Sequence, residues 1–324
     1  VIARTAINRT KEFPMSARSK AKPWSERLRL WAWKARRSFA PTLTFDTRQG
    51  RFSVDSNDEG IGRQLYCQRQ FELDLIQETF ELTRRLGLTP PPNEGTILDI
   101  GANIGVISVG AVVTGQVARG VAIEPEPRNF ELLQRNVANN HLEDQMVRLQ
   151  AAVSDSPGEL EFELSESNFG DHRVRKSTAG TSRGADRQAG TADVGSAERY
   201  GESQRKLIRV RAARLDDLCR ELPDLYRNSL SLVWIDVQGF EAQAFRGGAE
   251  LLGKGVPVMV EIWPYGMQRA GTSVSEFCEL ASRFWRHYWV RRDSGYVSHP
   301  IATLDALLAK LGGEGSYDNA IFTT

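Results

Sequence analysis

From Thr96 onward the chain alternates short apolar runs with amphipathic stretches, and this rhythm constrains the fold more than any other feature. Residues 96–100 (TILDI) read as a buried strand and 104–114 as a helix of small residues. A second strand follows at 121–125, an amphipathic helix at 128–140 and a third strand at 146–153. A β-α-β-α-β series requires right-handed crossovers and a parallel sheet with helices on both faces. The pattern resumes with strands at 231–237 and 256–263 and a helix at 240–252, then predicts a helix over 274–288 and a last strand at 317–324. Residues 159–167 and 207–215 alternate polar and apolar positions, as half-exposed strands do. The expected fold is α/β, Rossmann-like and doubly wound, with a mostly parallel sheet.

Three further regions flank or interrupt this domain. Residues 1–40 form a basic extension with eleven Lys and Arg against Glu12 and Glu26, a local net of +9. The rest of the chain therefore carries −8 of the overall +1. Residues 1–22 are polar and aperiodic and are expected to be disordered. Residues 24–39 mix Trp24, Leu28, Trp31 and Phe39 with Arg27, Arg29, Lys34, Arg36 and Arg37, which predicts a helix packed on the main domain with its basic face in water. Contact of this helix with an anionic membrane surface is the sharper reading. Residues 41–92 predict a hairpin over 42–54, turning near Arg48-Gln49-Gly50, then a helix over 69–86 and a Pro90–Pro92 linker. The stretch 176–206, rich in Gly, Ala, Ser, Thr, Arg and Asp with hardly any large apolar residue, reads as a flexible insertion within a domain spanning 93–324. Residues 1–14 lack the apolar run of a secretory signal, and no stretch of about 18 apolar residues predicts a membrane-spanning helix. Cys67, Cys219 and Cys278 are isolated, which fits a reducing cytoplasm.

The turn after the first strand carries the strongest chemical signal. In Asp99-Ile100-Gly101-Ala102-Asn103-Ile104-Gly105, the two glycines free backbone for close approach to a ligand. Asp99 can accept a hydrogen bond from an amino group, and Asn103 can cap the following helix, whose N-terminus favours a carboxylate. Glu124 ends the next strand, where an acidic side chain binds ribose hydroxyls, with Pro125 after it. A dinucleotide fingerprint is absent, because Asn103 and Val106 stand where its second and third glycines belong. That weighs against an NAD-dependent oxidoreductase. The Gly248–Gly255 segment imitates a phosphate-binding loop but lies between a helix and a strand, and Gly253 reads as a helix C-cap.

Taken in order, DIGANIG, IEP, AAVSD, RLDDL, IDVQGFE and VEIWP resemble the FkbM-type methyltransferases, a branch of the class I S-adenosylmethionine-dependent enzymes, over residues 58–324 without the insertion. The resemblance implies a seven-stranded sheet with one antiparallel strand near its end, and methyl transfer to a hydroxyl oxygen. It implies that Asp99, Gly101, Ala102, Asn103 and Gly105 hold the methionine part of S-adenosyl-L-methionine, that Glu124 holds the ribose, and that Ala152 and Val153 lie near the adenine. The family pattern K-I-D-V-E-G-x-E reads Trp234-Ile235-Asp236-Val237-Gln238-Gly239-Phe240-Glu241 here, so Trp234 replaces a Lys and Gln238 a Glu. A non-catalytic binding module that keeps the cofactor fold is the alternative these departures leave open.

A hydroxyl acceptor benefits from a general base. Asp236 at the end of the fourth core strand is the first candidate, followed by Glu261, Glu241 and His172; His141, His287 and His299 have no partner spacing. Oxygen ligands for Mg²⁺ could come from Asp236, Glu261 and Asp171, although no spacing calls for an ion. The acidic body and the missing Asn/Asp-Pro-Pro-Tyr motif disfavour a nucleic-acid substrate, leaving a small-molecule, sugar or lipid-linked hydroxyl. Acceptor choice is expected from Arg63, Tyr66 and Glu72, from residues 168–173 and from residues 263–267.

Overall fold

The computed structural model describes residues 24–37, 39–175 and 201–324. The expectations of disorder in 1–22 and of no leader in 1–14 lie outside these residues, as does most of the insertion. A helix, α1 (Trp24–Arg36), precedes the hairpin β1 (Thr42–Thr47) and β2 (Gly50–Asp55), then α2 (Ile61–Gln68) and α3 (Leu73–Arg85). The alternating unit follows as β3 (Thr96–Ile100), α4 (Val106–Val113), β4 (Arg119–Ile123), α5 (Pro127–Asn139) and β5 (Met146–Leu149). Next come β6 (Ala152–Ser154), β7 (Gly158–Leu164), β8 (Arg173–Val174), β9 (Lys206–Arg214), α6 (Leu215–Arg220) and α7 (Asp224–Arg227). The chain continues through β10 (Leu230–Ile235), α8 (Glu241–Gly247), α9 (Ala249–Leu252), β11 (Val258–Ile262), α10 (Pro264–Arg269) and α11 (Val274–Phe284). It closes with β12 (His287–Arg292), β13 (Gly295–Pro300), α12 (Leu304–Leu311) and β14 (Asp318–Thr323).

The central sheet runs β13-β12-β14-β11-β10-β3-β4-β5. Strands β11, β10, β3, β4 and β5 are mutually parallel, and β14 is antiparallel to both of its neighbours. Seven of these strands form the expected sheet with its antiparallel β14. The eighth, β13, is a correction: it pairs antiparallel with β12 as an edge hairpin that the sequence did not announce. The helix predicted over 274–288 stops at Phe284, because Trp285 turns extended (φ −123°) to feed β12 into the sheet.

Alternation along the strands sends side chains into two cores. Leu98, Val233 and Val260 face α8, α11 and α12, whereas Ile97, Leu232 and Met259 face α3, α4 and the hairpin. The hairpin and helices of 41–92 thus share one core with the sheet, through Phe52, Ile76 and Phe80 among others. The predicted single strand 146–153 is two strands. β5 ends the central sheet, and β6 joins a separate four-stranded sheet in the order β6-β9-β7-β8. The alternating segments 159–167 and 207–215 meet there as antiparallel partners, from Gly158↔Ala212 to Leu164↔Lys206. The last residues of the presumed insertion are packed: Glu202 and Arg205 are buried, and Arg205 pairs with Asp171. The flexible reading therefore fails for 201–206. Cys67, Cys219 and Cys278 form no disulfide.

The predicted helix over 69–86 begins only at Leu73, because Arg69 (φ 61°) and Glu72 (φ 51°) adopt the left-handed conformation. Gln49, at the hairpin turn and fully buried, fixes this bend. Its Oε1 accepts from Phe71 N–H at 2.9 Å, and its Nε2 donates to Phe71 O at 3.0 Å and to Val106 O at 3.1 Å. One side chain thereby ties hairpin, α3 and α4 together and aims residues 71–72 at the ends of the strands.

Candidate active site

β3 is flanked by β4 on one side and β10 on the other, so the crossovers diverge at that point. Ligands of open α/β sheets bind beyond the strand carboxyl ends at such a switch point. A cleft opens there, with about 850 Å³ of empty space that includes its open mouth. Asp99, Gly101, Ala102, Asn103, Glu124, Pro125, Ala152, Val153, Asp236 and His172 line it, all of them expected from the sequence. Of the residues expected to bind cofactor or catalyse, three do not: Gly105, Glu241 and Glu261.

The glycine turn is built for reasons partly different from those expected. A Cβ on Gly101 (φ +82°) would stand 1.9 Å from Asp236 O, so this glycine lets β3 and β10 end side by side. A Cβ on Gly105 (φ +84°) would meet Leu133 Cδ1 at 2.6 Å; that glycine serves the packing of α4 on α5. Asn103 (φ 51°) does not cap α4, whose N-cap is Gly105. Its Oδ1 accepts from Ile104 N–H at 2.8 Å, and its Nδ2 donates to Phe169 O at 2.8 Å, which anchors the 168–172 loop over the cleft.

Asp99 accepts from Ser108 N–H at 3.1 Å, and burial pushes its carboxyl up to about 7. Glu124 accepts from Asn103 N–H at 2.8 Å and Glu126 N–H at 2.9 Å, yet burial still raises it to about 8. Glu72 lines the opposite wall and is raised to about 8 by burial and then by the nearby Asp236 charge. Asp236 itself is raised by burial to about 6. Among the described residues, no Lys or Arg pairs with any of these four carboxyls. Asp99 and Glu124 are buried and Glu72 and Asp236 half-buried, and such a set of carboxyls without a described counter-ion is suited to a ligand that brings positive charge.

Gln238 (φ 54°) explains one departure from the family pattern. Its Nε2 donates to Asp236 Oδ1 at 2.7 Å and to Glu261 Oε2 at 3.1 Å. Glu261 thus stands behind the cleft wall, and burial, followed by the Asp236 charge, holds its carboxyl well above the usual range. A carboxylate at position 238 would confront both acids. Trp234 stands two residues before Asp236 and also lines the cleft; in place of a Lys it removes one positive charge, while Gln for Glu removes one negative charge. The two departures cancel. Gln238→Glu alone is expected to cost about 1–3 kcal/mol of stability above pH 7; Trp234→Lys is itself destabilising because Trp234 is a buried core residue, and the double variant is expected to lose less than the sum of the two. Thermal unfolding of both single variants and the double variant measures the coupling; strict additivity would break the link.

Glu241 is fully buried and accepts from Gly239 N–H at 3.0 Å and Val237 N–H at 3.4 Å, holding the turn after β10 rather than facing the cleft. Gly239 (φ +101°) is required by α10, since a Cβ there would lie 2.2 Å from Gly266 C. His172 Nδ1 accepts from Ser165 N–H at 2.9 Å, so a neutral ring carries its proton on Nε2. Burial, then the Arg205 charge, lowers its pKa to about 4, which suits a hydrogen-bond donor better than a base. Asp171, Asp236 and Glu261 do not converge: among the described residues no three His, Cys, Asp or Glu side chains could share a metal ion. Asp171 instead pairs with Arg173 at 2.6 Å and with Arg205.

Of the residues expected to choose the acceptor, Glu72, Phe169, Gly170 and His172 line the cleft. Arg63 lies outside it, 3.5 Å from Glu59, and Tyr66 is buried beneath α1, its hydroxyl bonded to Arg36 at 2.7 Å. Residues 263–267 pack behind it, with Trp263 Nε1 donating to Gly315 O at 3.2 Å. Phe71, Ile61, Phe162, Val174 and Phe240 complete the apolar wall; as apolar residues in periodic segments they read as ordinary core.

A doubly wound sheet with an acid-lined cleft at its switch point defines a Rossmann-like domain. The Methyltransferase FkbM domain matches residues 99–288, more than half of the chain. The chain belongs to the FkbM methyltransferase family. Methyltransferase sdnD of Sordaria araneosa is 30% identical over 187 residues, spanning 55% of this chain and 70% of that protein. Among solved structures, the FkbM methyltransferase of Methylobacillus flagellatus KT aligns at 13% identity with a TM-score of 0.41, over 81% of this chain and 54% of that one, so this chain spans about half its length. TYW2 of P. horikoshii, solved in complex with MeSAdo, aligns at 11% identity with a TM-score of 0.40, over 95% of this chain and 86% of that one. The family assignment rests on the sequence matches.

Proposed function

We propose that the protein transfers a methyl group from S-adenosylmethionine to a hydroxyl of a small-molecule, sugar or lipid-linked acceptor, with Asp236 receiving the hydroxyl proton. The observation that carries this reading is the set of uncompensated carboxyls around one cleft: Asp99 and Glu124 toward β3 and β4, Glu72 and Asp236 toward α3 and β10. A bound cofactor would supply an electrophilic methyl on a sulfonium, whose C–S bond would break as the acceptor's C–O bond formed, with S-adenosylhomocysteine as the leaving group.

The chain's own residues supply binding and proton transfer. Asp99, when ionised, accepts from an ammonium, and the remaining lone pairs of Glu124 accept from ribose hydroxyls. Ala152, Val153 and Phe162 offer apolar surface to a flat ring. Gln238 orients the Asp236 carboxyl by donating to Oδ1, leaving Oδ2 for the acceptor. A pKa near 6 suits a base working at neutral pH. His172 Nε2–H and Glu72 are available to position the acceptor.

Calorimetric titration with S-adenosylhomocysteine, with NAD⁺ in parallel, tests the cofactor reading. Heat with the first and silence with the second support it. The reverse would mean an oxidoreductase, and silence with both a binding module. For the base, with cofactor kept saturating across the pH range, kcat/KM for a turned-over acceptor is expected to rise with pH through about 6 and then level, because only ionised Asp236 accepts a proton. Asp236→Asn should lose roughly 10²–10⁴-fold and the pH step with it. A step that survives in that variant would move the base elsewhere.

A further inference from the structure

α1 presents a surface that methyl transfer does not use. Of the ten large apolar side chains exposed among the described residues, four fall within 24–39: Trp24 (73% exposed), Leu28 (53%), Trp31 (72%) and Phe39 (89%). The other six are scattered along the chain, as single exposed apolar residues normally are. The first three lie at i, i+4 and i+7, which stacks them on one side of the helix. Trp33, fully buried, projects from the opposite side into the core with Phe45 and Tyr66. The indoles are therefore not exposed for want of a packed face; the helix has one, and this is the other.

The charge on the helix is sorted in the same way. Arg29, Arg36 and Arg37 are engaged with the body, donating to Cys67 O at 2.7 Å, to Tyr66 Oη at 2.7 Å and to Glu59 at 2.6 Å. Arg27 and Lys34, one heptad apart and exposed, flank the Trp24–Leu28–Trp31 stripe. The helix's one acid, Glu26, sits on the side of Trp33. Indoles favour the boundary between water and hydrocarbon, and Lys and Arg beside them favour anionic headgroups. The Arg37–Glu59 ion pair and the Glu59 N–H to Ser167 O bond (2.7 Å) run from the end of α1 to the loop that borders the cleft.

We propose that the Trp24–Leu28–Trp31 face of α1 docks the protein on an anionic lipid surface, as a peripheral contact. No helix among the described residues is long and apolar enough to cross a membrane. The contact is independent of the methyl acceptor and stands whether or not the cofactor reading holds.

Co-sedimentation of the full chain with vesicles tests it, using phosphatidylcholine alone and phosphatidylcholine mixed with phosphatidylserine. Binding is expected to the mixed vesicles, to weaken with added salt, and to fall at least about tenfold in Trp24→Ser/Trp31→Ser. Arg27→Glu/Lys34→Glu should abolish the preference for anionic lipid. All four side chains are exposed, and unchanged thermal unfolding verifies that the variants fold. Absence of binding to mixed vesicles, or binding that the tryptophan pair does not change, overturns the proposal. So does light scattering that shows a dimer in the unaltered chain and a monomer in Trp24→Ser/Trp31→Ser, since a second copy would then cover this face.

Discussion

Asp99→Asn is expected to weaken binding of S-adenosylhomocysteine by about ten- to a hundredfold, the effect of losing one hydrogen bond to a charged group. Asparagine keeps an oxygen able to accept from Ser108 N–H, so the turn should survive and the loss should report the missing charge. The pH dependence separates this from a structural effect. In the unaltered protein Asp99 titrates at about 7, and an ammonium pairs with its ionised form. Below that pH a proton must leave on binding, so affinity should rise with pH through about 7 and level above it. In Asp99→Asn that step should vanish. Calorimetry across pH 5.5–8.5, a window of about 3 units around that value, reads both quantities. Unchanged affinity in Asp99→Asn would mean that Asp99 serves only to hold α4.

The same uncompensated acids predict an unusual stability profile. Glu72 and Glu124 are raised to about 8, Asp99 and Glu241 to about 7 and Asp236 to about 6, each chiefly by burial. Their folded values lie above their unfolded ones, so between roughly pH 4 and 8 the folded state binds more protons. Their contribution is full below the unfolded values and is lost as pH rises through the folded ones. His172, lowered to about 4, acts oppositely, but only below about pH 6.5, the unfolded value for imidazole. Without ligand, the melting temperature should therefore fall between about pH 6.5 and 8.5. Glu72→Gln removes an unpaired acid from the cleft wall. At pH 8.5 it should stabilise by about 1 kcal/mol or more, which is about 2–4 °C for a domain of this size; near pH 5 it should do little. A gain in stability joined to a loss of turnover would mark Glu72 as a residue kept for function. Melting temperatures that stay flat or rise with pH would show that these acids are better solvated than their burial implies.

The residues legible in the sequence were those whose place at the cleft follows from position along a strand. Asp99 and Glu124 end consecutive strands about one β-α unit apart, and any parallel sheet brings such ends together. Asp236 was legible for the same reason. Glu241 and Gly105 do not line the cleft, because motif membership does not say which way a residue faces. One carboxylate holds a backbone turn, and one glycine makes room for Leu133. Gln238 looked like a lost acid; its meaning lay in Glu261, which is 23 residues away in sequence and shares its amide.

The β-α alternation from Thr96 to Asn139, the glycine turn, the strand-end acids and the basic tryptophan-bearing helix were determined by the sequence alone, because each is a local or periodic property. Tertiary structure decided which of those residues share a cleft. Glu72 shows why: its apolar neighbours read as one uninterrupted helix over 69–86, and only the buried Gln49, reaching from a hairpin turn 22 residues upstream of Phe71, bends the chain there. A contact of that kind leaves no period in the sequence. It exists only once the hairpin, α3 and α4 have closed on one core, and it is what turns Glu72 from the polar face of a helix into a wall of the cleft.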